Sequence, residues 1–165
     1  MSLFDKSSST LNRKSQEGFK LFSESEKIGI IYSWEDSQKE KSIREFAESL
    51  GSNKSVSFLC FNPIKKIQPT TENPTFSKAD FNLFGKIQSQ TAISFMDEPF
   101  DFLFHLDFDI NPMIKSLLEK SKANWKVGCY SDQGEGIYDL MIKINKSAGL
   151  KNLSDQMRIY VNALK

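Results

Sequence analysis

The chain has 165 residues, with 22 Lys and Arg against 21 Asp and Glu, a formal net charge of +1, two cysteines and one histidine. That length suits one domain, or one with an appendage, and 39% hydrophobic and 12% aromatic content supplies a core. The balanced charge gives no general pull toward nucleic acid or anionic lipid, and no run approaches the ~20 apolar residues that span a bilayer.

In chain order, residues 1–24 form a polar segment with a weak helical pattern over 10–22 and no apolar core of a secretory signal. Residues 25–165 read as a single α/β domain. Its first strand is Ile28-Gly29-Ile30-Ile31-Tyr32, a β-branched apolar run without polar alternation, as in a strand covered on both faces. Ser37 and Glu40 have capping-box spacing, and Ile43, Phe46, Ala47 and Leu50 follow at helical intervals, with Gly51 placed to end the helix. Val56-Ser57-Phe58-Leu59-Cys60-Phe61 is the next strand, completing a parallel βαβ unit.

Residues 63–90 form a long insertion loop, broken by a short helix from Ser77 through Phe84. A strand over 91–95 and a stronger one at Phe102-Leu103-Phe104-His105-Leu106 follow. Asn111-Pro112 opens a helix whose buried stripe is Ile114, Leu117, Leu118 and Ser121. Trp125–Cys129 and residues 138–144 are further strands, and a last helix begins near Asn152. The pattern predicts a three-layer α/β sandwich, Rossmann-like, around a mostly parallel sheet of five or six strands.

In such sheets ligands bind beyond the carboxyl ends of the strands, where the strand order reverses. The residues predicted for that rim are Trp34, Asp36, Asn62, Asp107, Asp109 and Tyr130. Their bland role is loop and helix-cap chemistry. Residues 96–111 carry five carboxylates and no Lys or Arg, expected to be solvated at strand ends. Asp107-Phe108-Asp109 could instead hold Mg²⁺ or Mn²⁺ beside a phosphate. No G-x-G-x-x-G precedes a helix and no P-loop occurs, so a standard dinucleotide enzyme is not expected.

His105, Cys60 and Cys129 all fall in or at the end of apolar strands, with no nucleophile motif beside them. The histidine is expected to be a hydrogen-bonded core residue and the cysteines reduced, buried thiols, which points to the cytoplasm. Lys126 lies between two apolar strand residues and needs a partner, for which Asp139 is nearest.

The run Ile28–Tyr32, Asp80-Phe81-Asn82-Leu83-Phe84-Gly85-Lys86, Phe100-Asp101-Phe102-Leu103-Phe104, Ser121-Lys122-Ala123-Asn124-Trp125-Lys126-Val127-Gly128 and Tyr138-Asp139-Leu140-Met141-Ile142 together resemble an uncharacterised family of small cytoplasmic proteins from Bacteroidetes-type bacteria. The resemblance spans the chain from about residue 10. It implies no established activity and transfers no catalytic residue, but Gly85, Lys126, Gly128, Tyr138 and Asp139 match its pattern.

The expected function is non-catalytic binding of a small molecule or protein partner, without a cofactor, nucleic acid or membrane. A homodimer is expected from surplus apolar surface at Ile159 and along 63–90. The alternative is a metal-dependent enzyme on a phosphorylated or nucleotide-sugar substrate, using Asp107 and Asp109.

Overall fold

A computed structural model describes residues 20–64 and 66–164. Six strands, β1 (Lys27–Ser33), β2 (Ser55–Asn62), β3 (Thr75–Ser77), β4 (Phe102–His105), β5 (Trp125–Cys129) and β6 (Leu140–Ile142), form one sheet. Every strand pair is parallel, and the order is β3-β2-β1-β4-β5-β6. That is the order of doubly wound sheets, with its reversal between β1 and β4. Four helices complete the α/β fold: α1 (Ser37–Ser49), α2 (Gln90–Asp97), α3 (Pro112–Lys120) and α4 (Leu150–Asn162).

Alternation along the strands divides the core in two. Ile28, Ile30 and Tyr32 of β1, with Phe102 and Phe104 of β4, pack with Ile43 and Phe46 of α1 and Leu153, Met157 and Val161 of α4. On the other face Ile31 and Leu103 meet Ala92, Phe95 and Met96 of α2 and Ile114, Leu117 and Leu118 of α3. Both faces are covered, which is why β1 reads as an unbroken apolar run. Gly29 admits the Phe100 ring: a Cβ there would lie 2.7 Å from it.

Several sequence expectations change. Residues 91–95 are helical, not a strand: Ser89 caps the N–H of Ala92, and Ala92, Phe95 and Met96 share one buried face at i, i+3, i+4. The helix expected from Ser77 shrinks to a 3-10 turn at Lys78–Asp80, although its capping box forms. The N-cap of α1 is Asp36 rather than Ser37, so Glu40 is released from the capping role. The expected solvated row of carboxylates is only partly so. Asp97 and Asp109 are exposed, whereas Asp101 and Asp107 are buried at the two ends of β4. Asp101 accepts the N–H groups of Glu26 and Lys27 at 2.9 and 3.0 Å, tying the entry of β1 to β4.

Of the N-terminal helix expected over 10–22, residues 10–19 lie outside the described residues, and Phe22–Glu24 is a single 3-10 turn. The long insertion contributes an edge strand, β3, held by Phe76 in the core, and a Phe81–Ile87 bridge closes a tight loop after it. The expected Lys126–Asp139 contact forms: the Lys126 N–H donates to Asp139 Oδ2 and the Asp139 N–H to the Lys126 carbonyl, each at 2.8 Å. It joins β5 to the entry of β6. Among the described residues no helix is long and apolar enough to cross a membrane.

Candidate functional site

The strand-order reversal opens a cleft of about 590 Å³ beyond the carboxyl ends of β1 and β4. Trp34, Glu35 and Asp36 line it from the turn after β1, Lys39 from α1, and Asp107, Phe108 and Asp109 from the turn after β4, with Lys146 opposite. Four of the six predicted rim residues, Trp34, Asp36, Asp107 and Asp109, are therefore brought together. Tyr130 lies in an adjoining depression that shares Phe108, Asp109 and Lys146, and its hydroxyl donates to Asp132 at 3.0 Å. Asn62 is elsewhere: it braces its own loop, accepting the Ile64 N–H and donating to the Ile67 carbonyl.

Asp107 organises the floor of the cleft. Its Oδ2 accepts the Ser33 N–H and His105 Nε2–H, both at 2.9 Å, and its Oδ1 accepts the Lys39 ammonium in an ion pair. Both partners of that pair have about a tenth or less of the side chain exposed. Burial opposes ionisation of Asp107, but the His105 hydrogen bond and the Lys39 charge outweigh it and hold the carboxyl below its ordinary range. An ionised carboxylate only accepts, so Nε2 of His105 carries the proton. Nδ1 lies 2.6 Å from the Tyr138 hydroxyl, and in the neutral ring it accepts from that hydroxyl. Burial first, and then the Asp107 charge, raise the pKa of Tyr138 and keep the phenol a donor.

Tyr138 reaches that position because two glycines leave room for its ring. A Cβ on Gly128 would lie 2.3 Å from the ring, and one on Gly134 2.6 Å from it. Tyr138, His105, Asp107 and Lys39 thus form one buried chain of donors and acceptors running from the α2–α3 side of the sheet to the cleft.

The polar groups of the cleft are paired with one another. Both His105 nitrogens and both Asp107 oxygens are engaged, and Asp109 pairs with Lys146. Among the described residues no group of three or more His, Cys, Asp or Glu could hold a metal ion. The helix N-termini at the rim are closed by their own caps: Asp36 accepts the Lys39 N–H and Asn111 the Met113 N–H, each at 2.8 Å. A phosphate would compete with these caps and meet the Asp36 charge. Cys60 and Cys129 are buried and unlinked, and burial pushes the thiol of Cys60 up to about 12 and raises that of Cys129.

Lys39, Lys146 and Tyr138 were not among the predicted site residues. Lys39 had a readable signal, since it precedes Ile43 by four positions and so extends the buried stripe of α1 with a charge.

The sequence pattern described as "Family of unknown function (DUF6913)" matches residues 2–164, and the chain belongs to that family. No curated protein and no solved structure matches it.

Asp107→Asn should cost about 3 kcal/mol, because it leaves the buried Lys39 ammonium with only the exposed Glu35 carboxylate, 3.8 Å away, as a charge partner. The folded carboxyl lies below its ordinary value, so its contribution is complete above the unfolded value of about 3.9 and is lost as pH falls through the lower folded value. Urea unfolding of both proteins across that acid range checks this. The gap should be wide at neutral pH and close on acidification; a pH-independent gap below about 1 kcal/mol would contradict it.

Proposed function

We propose that this protein is a non-catalytic binding module that takes a small, phosphate-free polar ligand in the switch-point cleft. The observation that supports the reading is that the titratable side chains on the cleft floor are hydrogen-bonded or ion-paired to one another. His105 is shared between Tyr138 and Asp107, and Asp107 among Lys39, His105 and Ser33. What the cleft offers instead is recognition surface. Trp34 Nε1 is buried there without a hydrogen-bond partner among the described residues, and Trp34 and Phe108 give half-buried aromatic surface. The lining carries Glu35, Asp36, Asp107 and Asp109 against Lys39 and Lys146, a balance that favours neutral or cationic ligands.

The metal-dependent alternative draws no support from the placement of its two carboxylates, which accept from Lys39 and Lys146. A cytoplasmic, bacterial setting belongs to the same proposal. The two buried, unlinked cysteines suit a reducing compartment, and the resemblance supplies the bacterial assignment.

Thermal shift and tryptophan fluorescence with nucleosides and aromatic amides, run against their phosphorylated counterparts with and without Mg²⁺, test the ligand class. A phosphate-free compound should stabilise the protein, and Trp34→Phe should weaken that effect by about tenfold in affinity. Stronger stabilisation by a phosphorylated compound with Mg²⁺, or turnover of one, would overturn the reading.

The module is further proposed to work as a homodimer. Leu83 and Phe84 stand fully exposed on the tight loop after β3, and Ile159 is 52% exposed on α4. Light scattering over a dilution series should return about twice the 18.9 kDa chain mass; the monomer mass throughout would contradict the dimer.

A further inference from the structure

The tight loop after β3 is built to hold two apolar side chains in solvent. Asn82 Oδ1 accepts the N–H groups of Phe84 and Lys86, each at 2.9 Å, and the Asn82 N–H donates to the Lys86 carbonyl at 2.9 Å. The Gly85 N–H donates to the Asn82 carbonyl at 3.0 Å. Below this turn the Phe81–Ile87 bridge closes the loop, with Ile87 buried and Phe81 packed on the core. The turn is fixed by its own hydrogen bonds, an asparagine side chain standing in for backbone. Yet Leu83 and Phe84 at its tip are fully exposed. A fixed loop that leaves a Leu and a Phe in water forgoes apolar burial that a covering surface would recover.

The loop stands between the carboxyl end of β3 and the first turn of α2, at the same end of the sheet as the switch-point cleft. β3 lies two strands from β1, about 10 Å at the usual spacing. Being fully exposed, Leu83 and Phe84 do not cover the cleft of their own chain. That cleft is open at its mouth, where Glu35, Asp109 and Lys146 are mostly exposed, and Trp34 and Phe108 present half-buried aromatic surface within it. Its carboxylates outnumber its ammonium groups, whereas Lys78 and Lys86 stand exposed on the two flanks of the tip. An apolar tip with positive flanks complements an aromatic cleft with a negative rim. Knob and socket at one end of one molecule are what a closed two-fold pair requires, since each copy gives its tip and receives the other's.

We infer that two copies of this chain exchange tips, so that Leu83 and Phe84 of each close over the switch-point cleft of the other and add an apolar wall facing Trp34 and Phe108. The inference rests on the homodimer reading above and makes the ligand site a composite of two chains.

Photocrosslinking of the full chain with p-benzoylphenylalanine in place of Phe84 tests it, at a concentration where light scattering returns the dimer mass. Irradiation should give a covalent dimer whose crosslinks, mapped by mass spectrometry, fall on residues 33–39 or 107–111 of the other chain. Crosslinks between the two tips, crosslinks to α4 around Ile159, or no covalent dimer from a solution of dimers would overturn the inference and leave the homodimer reading standing. A monomer mass throughout would overturn both. The double variant Leu83→Ser with Phe84→Ser changes only exposed side chains, so it should fold as the parent does. Its dimer dissociation constant should rise about tenfold or more, and an unchanged constant would overturn the inference.

Discussion

Two buried carboxylates clamp β1 to β4, and the architecture around the strand reversal depends on them. Asp101 receives the backbone donors that enter β1, and Asp107 receives the one that leaves it at Ser33. Parallel pairing leaves such terminal N–H groups without a ladder partner, and an unmet buried donor costs about as much as a lost hydrogen bond. Each aspartate flanks the four residues of β4, so one short strand holds its neighbour at both ends. The acidic concentration in this stretch is thus partly structural rather than a solvated surface feature.

Asp107 extends the clamp beyond the two strands. Through Lys39 it holds α1, and through His105 it holds Tyr138, whose ring rests on Gly128 of β5 and on Gly134. A buried network of this kind is favourable only when every member is satisfied, because the low local dielectric makes each unmet group expensive. Residues that would suggest catalysis if read singly fix the cleft's floor here, and Trp34, Phe108 and the rim charges line the rest of it.

Periodicity makes much of the fold legible in the sequence. The unbroken apolar run of β1 and the helical spacing of Ile43, Phe46 and Leu50 each follow from burial on the face later observed. Residues 91–95 misled because Thr91 and Ile93 are β-branched, whereas the Ser89 cap and the spacing of Ala92, Phe95 and Met96 decide the outcome. β3 is three residues long, too short to show a period, and exists because it pairs with Cys60, Phe61 and Asn62. The rim was legible from topology, which follows from strand and helix order. Its internal partners were not, since Tyr138 and His105 are 33 residues apart and meet only through folding. Lys39 and Glu40 were visible in one respect, as charges on the buried stripe of an amphipathic helix.

The lone histidine makes the central claim directly measurable. Nitrogen-resolved NMR of the His105 ring reports which nitrogen carries the proton and how fast that proton leaves. The account predicts an Nε2–H held by Asp107, slow to exchange with water, with Nδ1 accepting from Tyr138. An Nδ1–H tautomer, or a ring proton exchanging freely with solvent, would contradict it.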